Sequence, residues 1–136
     1  MTLAQEIIWV LEQTVLAIHQ RQIAEHGGNP DLRDEGLLES ALSRPRNPLV
    51  YGESPPDLAA LAASYAFGLA RNHPFVDGNK RVSLVVSRLF LLLNGADINA
   101  SHEEKYRIFL HLAEGSVTEE SLAQWFRDHL KTRPTA

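Results

Sequence analysis

The chain has no cysteine and one methionine among its 136 residues. A disulfide framework and a thiolate-held metal are therefore excluded, and a reducing compartment suits the composition. The first residues, "MTLAQEIIWV", lack the basic stretch of a secretory leader. Nor does any apolar run reach the roughly 20 residues that a membrane-spanning helix needs. These absences predict a soluble, cytoplasmic protein without a membrane partner. Cations are also in deficit, with 13 Lys and Arg against 17 Asp and Glu and a net charge of −4. That balance argues against a nucleic-acid protein working through a broad basic field. Repeats, low-complexity stretches and linkers are missing too, so the expectation is one domain over residues 1–136, with about 131–136 as a frayed tail.

What is present is helical patterning almost throughout. Leu3, Ile7, Leu11, Ile18 and Ile23 recur at helical spacing over 3–26, and Gly27-Gly28 stop the run. A short helix follows in "DEGLLESALSR", with Asp34 as N-cap and Pro45 closing it. The segment 45–56, "PRNPLVYGESPP", is too rich in Pro and Gly for a helix and leaves room for a brief hairpin around Val50 and Tyr51. Asp57 caps "DLAALAASYAFGLARN", which is apolar on nearly every side and so belongs inside the protein. "KRVSLVVSRLFLLLNG" is equally apolar. Its length exceeds a usual strand and it ends in an Asn94-Gly95 stop, both of which favour helix. Two more helices start at Ser101, with Glu104 completing a capping box, and at Thr118. The fold class predicted is all-α, a helical bundle around a central buried helix pair.

Between those two central helices lies "HPFVDGNKR", residues 73–81. Pro74 disfavours helical geometry at His73, so the incoming helix should end at about Asn72. Gly78 opens a backbone conformation closed to other residues, and the next helix begins at about Asn79. The start of a buried helix offers unpaired N–H groups and the positive end of the helix dipole, which favour an anion. Lys80 and Arg81 in that first turn oppose the dipole, at about 0.3–1 kcal/mol each if exposed. A bound phosphate reverses that balance. Between Arg71 and Arg88 the chain carries four cations against Asp77 alone. Asp77 is a hard oxygen ligand suited to Mg²⁺ beside substrate phosphates. His73 is placed to accept a proton from a hydroxyl. Base, metal carboxylate and anion cradle are the parts of an in-line phosphoryl transfer.

Each residue also has a plainer reading. His73 can be a buried imidazole bonded to a carbonyl, Asp77 a helix cap, and Gly78 and Asn79 parts of any tight turn. Arg71 and Arg88 read as structural ion-pair partners. His19, His26, His102, His111 and His129 show no metal-ligand spacing and read as surface or packing residues.

The nine residues resemble the signature of the Fic/Doc superfamily, His-Pro-Phe-x-Asp/Glu-Gly-Asn-Gly/Lys-Arg. Lys80, where Fic members usually have glycine, points to the Doc (death-on-curing) branch. "GGNPDLRDEGLLESALSRP", "PPDLAALAASYAFGLARNHPF" and "FLLLNG" are similar to Doc toxins as well. The resemblance implies a helical bundle with a flap, 45–56, over the motif. It implies His73 as general base and Asp77 as magnesium ligand, with Gly78, Asn79, Lys80 and Arg81 shaping the phosphate site and Phe75 anchoring the loop. It further implies a toxin paired with an antitoxin protein, an ATP-dependent protein kinase that acts on elongation factor Tu and stops translation. Arg33 and Asp34 fall in a family segment near the site, without an evident mechanism.

Two rivals stand beside the kinase. Fic proteins with glycine in place of Lys80 typically transfer AMP to a protein hydroxyl. Many carry a second arginine three residues after the one matching Arg81, and Leu84 occupies that position here. The other rival is a non-catalytic module that only docks an antitoxin. The self-inhibitory pattern Ser/Thr-x-x-x-Glu-Gly/Asn is not met, because Asp31 and Leu110 stand where it requires Ser or Thr. The resemblance therefore assigns restraint to a separate antitoxin.

Overall fold

The computed structural model describes residues 6–47 and 56–132. The described residues form α1 (Glu12–His26), α2 (Glu35–Ser43), a 3-10 turn (Arg44–Arg46), α3 (Leu58–Asn72), α4 (Asn79–Leu93), β1 (Ala96–Ile98), α5 (His102–Glu114), α6 (Glu119–His129) and β2 (Leu130–Thr132). The architecture is all-α with one two-stranded ribbon. No described helix is long and apolar enough to cross a membrane.

The two helices that are apolar on most sides, α3 and α4, form the centre. Alanines on α3 (Ala59, Ala62, Ala63, Ala66 and Ala70) are all buried. Small side chains let neighbouring helices approach α3 closely, and α2, α4 and α6 pack against it. Tyr65, Phe75, Phe90, Phe109 and Phe126 fill the remaining volume and are almost wholly shielded from solvent. Truncating any of the four phenylalanines to alanine costs about 3–5 kcal/mol in a core of this kind.

Four helix starts follow local chemistry as the sequence predicts. Asp34 and Asp57 accept backbone N–H groups of Leu37 and Ala60, each at 2.9 Å. Ser101 and Glu104 complete their capping box, and Thr118 accepts from Ser121. Arg88, read as an ion-pair partner, pairs with Asp97, at 3.0 and 3.3 Å. The hydrogen bonds from Arg88 hold the Asp97 carboxyl below the ordinary aspartate range. Arg71 departs from the reading: it lies over the Phe67 ring, 5.3 Å from its centroid, and has no carboxylate within 4 Å among the described residues.

Three boundaries differ from those read in the sequence. The first helix starts at Glu12, and residues 6–11 run as a non-helical strap. Tertiary partners take the strap's backbone groups: Asn94 brackets Ile8 through two 2.9 Å bonds, and Val10 N–H donates to the buried Tyr65 hydroxyl at 3.1 Å. Lys131 and Thr132, at the start of the expected tail, belong to β2, which pairs antiparallel with β1 in the register Asp97↔Lys131; residues 133–136 lie outside the described residues. A three-residue strand leaves no periodic signal, and its partner lies over 30 residues away. The segment assigned to the flap begins in the 3-10 turn at Arg44–Arg46, with Pro45 tolerated in its first turn. Residues 48–55, with the hairpin at Val50 and Tyr51, lie outside the described residues.

Asp57 joins two levels of this architecture. Besides capping α3, it receives the Arg127 guanidinium from α6, at 2.7 and 3.0 Å. The Arg127 hydrogen bond holds its carboxyl below the ordinary aspartate range. A carboxyl depressed on folding stabilises above its unfolded pKa, and that contribution is lost as pH falls through the lower folded value. Asp57→Ala should cost about 1–2 kcal/mol in urea unfolding at neutral pH, mostly through the lost cap. Asp57→Asn should keep most of the cap while weakening the acid dependence seen in the parent.

Candidate active site

The motif loop begins where α3 stops. His73 closes α3 at φ 50°, ψ 57°, the sole non-glycine residue with positive φ among those described. This left-handed geometry costs a non-glycine residue about 1–2 kcal/mol, so the surroundings must hold it. Arg33 does much of that. Its guanidinium donates to the carbonyls of His73 (2.6 Å) and Asn72 (2.8 Å), placing a cation at the negative end of the helix. The backbone N–H groups of Arg33 and Asp34 donate to the Pro74 carbonyl, and Val76 N–H donates to Asp31. The segment after Gly28 thus runs beside the motif as a backbone partner, which supplies the mechanism that the sequence left open for Arg33 and Asp34.

Phe75 is buried, and Asn79 braces it from the helix start. The Asn79 Oδ1 accepts from Phe75 N–H at 3.0 Å, while its Nδ2 donates to the Phe75 carbonyl at 2.8 Å. These bonds fix the orientation of the amide. Its Nδ2 also lies 3.3 Å from His73 Nδ1, so that nitrogen is an acceptor here and the neutral ring carries its proton on Nε2. The Asn79 side chain therefore shapes the loop from inside, and its backbone N–H is what faces the helix start. His73 itself is exposed, which rules against the reading of it as a buried structural imidazole.

Asp77 is exposed too. Its Oδ2 accepts the Asn29 N–H at 2.7 Å, and its Oδ1 has no partner among the described residues. A Cβ at Gly28, where φ is +120°, would sit 3.1 Å from both Asp77 Cβ and Ile23 Cδ1. Gly28 is thus a close-approach residue as well as a helix stop. Asp77 does not cap α4 with its side chain; Gly78, at φ 87°, is the N-cap and α4 has no side-chain cap. Val82 is the first residue whose N–H bonds back, to the Gly78 carbonyl at 2.9 Å. The N–H groups of Asn79, Lys80 and Arg81 have no partner among the described residues, as an anion cradle requires.

Lys80 is half-buried, its Nζ 4.9 Å from the Tyr106 ring centroid, and Arg81 is exposed. Neither has a carboxylate within 4 Å among the described residues. Both line a cavity of about 580 Å³ with Leu84, Arg88, Lys105 and Tyr106, and among the described residues none that lines it is acidic. His73 and Asp77 are not part of that lining. Among the described residues no three His, Asp or Glu side chains converge as a metal cage. A lone carboxylate with one unengaged oxygen fits a magnesium ion whose other ligands are water and substrate phosphate.

The structure thus gathers every sequence-predicted site residue onto one turn, with His73 and Asp77 at the surface and Asn79 within. Three contributors escaped the sequence reading: Gly28, Asn29 and His19, whose Nε2 lies 2.8 Å from the Asp77 carbonyl oxygen. They act from α1 and the segment behind it, and nothing local in their sequence says what they touch. The sequence matches the model of the Fic/DOC family over residues 9–91. It is 32% identical over 115 residues to "Protein kinase doc" of Escherichia phage P1, covering 85% of this chain and 90% of the relative. It is 42% identical over 78 residues to "Toxin Doc" of Mycolicibacterium smegmatis, covering 57% of this chain and 59% of that relative.

Proposed function

The chain belongs to the Fic/DOC family, and from that premise we propose that it is a Doc-type toxin, a protein kinase that uses ATP and Mg²⁺. The observation that carries this reading is the open amino end of α4. Three N–H groups and two cations, none with a partner among the described residues, lie one turn from an exposed histidine and an exposed carboxylate. The phosphates of ATP lie against the N–H groups of Asn79, Lys80 and Arg81, with Gly78 allowing close approach. Asp77 would hold the magnesium through Oδ1, which has no partner among the described residues, and the metal when bound would neutralise charge on the phosphates.

His73 accepts the proton of the attacking hydroxyl. The hydroxyl oxygen bonds to the γ-phosphorus, the bond from that phosphorus to the bridging oxygen of ADP breaks, and ADP leaves. Among the described residues the lone pair on Nδ1 meets only the Asn79 amide, at 3.3 Å. A hydroxyl is the better donor and displaces so long a contact. Lys80 supports γ-transfer over AMP transfer, because it adds bulk and charge where the outer phosphates of a nucleotide would otherwise lie. Leu84 supplies no second cation for them. The target proposed is a hydroxyl of elongation factor Tu in the cytoplasm, and the restraining partner is a separate antitoxin protein.

Label transfer tests the chemistry. Purified chain, elongation factor Tu and ATP labelled at the α- or γ-phosphate should give labelled protein from the γ position only. Label arriving only from the α position would replace the kinase by a nucleotidyl transferase. No label from either position would favour the non-catalytic module.

A further inference from the structure

His19 is a titratable group inside the protein that the chemistry above does not use. It sits on α1, 2% exposed, with its ring stacked on Phe75 at 3.8 Å between centroids and 9° between planes. Its Nε2 lies 2.8 Å from the Asp77 carbonyl oxygen. A carbonyl only accepts, so Nε2 carries the proton and donates. The identity of that carbonyl matters. In a helix continued backward by one residue, the Asp77 carbonyl would accept the Arg81 N–H through an i to i−4 bond. Here Val82 N–H reaches Gly78, whereas the Asp77 carbonyl is engaged by His19 and the Arg81 N–H has no partner among the described residues.

Resting on the reading of this turn as a phosphate-transfer site, we propose that His19 is a positioning residue that keeps the anion cradle open. By claiming the Asp77 carbonyl it turns that peptide away from the helix axis, so the Arg81 N–H stays available to substrate phosphate. Through the same bond and the stacked Phe75 it fixes the backbone that carries the Asp77 carboxylate. The ring touches neither hydroxyl nor phosphate and transfers no proton. Its action is geometric, through one hydrogen bond and one stacked face.

Two substitutions separate the bond from the ring. His19→Phe keeps an aromatic face for Phe75 and removes the donor. His19→Gln removes the ring and keeps an N–H at the place of Nε2. Each is compared with the parent by ATP binding in calorimetry with magnesium, by turnover of γ-label transfer, and by melting temperature. The Phe variant should bind ATP about tenfold more weakly and lose about 100-fold in kcat, without a matching loss of melting temperature. The Gln variant should stay within several-fold of the parent in both. The proposal is overturned if the Phe variant matches the parent, or if Gln loses as much as Phe. Should the Phe variant not fold, the Gln variant decides alone: near-parent kcat and affinity support the role, and a 100-fold loss ends it. Failure of the kinase reading looks different, since the parent then transfers no γ-label. ATP affinity still ranks parent and Gln above Phe if His19 holds the cradle.

Discussion

Replacing His73 by alanine should lower γ-phosphate transfer by about 10²–10⁴-fold, the span that a positioned general base contributes, and should relieve growth arrest at equal expression. The fold should survive. The His73 side chain is exposed and makes one long hydrogen-bond contact among the described residues, whereas its backbone carbonyl, which holds Arg33, is retained in any variant. One complication is physical: His73 has a left-handed backbone, which alanine adopts with some strain and asparagine more readily. His73→Asn is therefore the cleaner partner, with an equal loss of transfer and a melting temperature close to the parent. Antitoxin binding should persist in both. A variant as growth-inhibiting as the parent would sink the catalytic reading and leave the docking module in its place.

Asp77 should show the second large effect, in a form that separates its two contributions. Its Oδ2 anchors the Asn29 N–H, and its other oxygen is assigned to magnesium. Asp77→Asn retains an acceptor for Asn29 but carries no charge. It should fold like the parent, transfer label about 100-fold more slowly or worse, and need higher magnesium for what activity remains. Asp77→Ala should lose that activity and, in addition, about 1 kcal/mol of stability from the missing hydrogen bond. Label transfer titrated with magnesium, run beside thermal melts, reads both. An asparagine variant with parental turnover would remove Asp77 from the chemistry.

Both outcomes depend on a turn whose parts are adjacent in the chain, which is why so much of it was legible. Pro74 and Gly78 act on their own and neighbouring φ and ψ angles, so the end of α3 at Asn72 and the start of α4 at Asn79 follow from the sequence. The caps at Asp34, Asp57, Ser101 and Thr118 are equally local, each reaching three residues ahead. The first helix shows the limit. The apolar spacing of residues 3–11 fits a helix, but Tyr65 and Asn94 offer the backbone of Val10 and Ile8 other partners, and those partners win. The same holds for Leu130–Thr132, whose strand exists only because β1 lies alongside.

By itself the sequence determined the helical class, the place of the turn between two buried helices, and the set of groups offered there. These are consequences of torsional preference, side-chain chemistry and periodicity, all properties of neighbouring residues. Only the tertiary structure decided that Asn79 faces inward, that Arg33 caps the carbonyls of α3, and that His19 hydrogen-bonds the Asp77 carbonyl. Hydrogen bonds spanning 40 and 58 residues have no local signature. Their partners meet only once burial of the apolar faces has brought α1, α3 and α4 together.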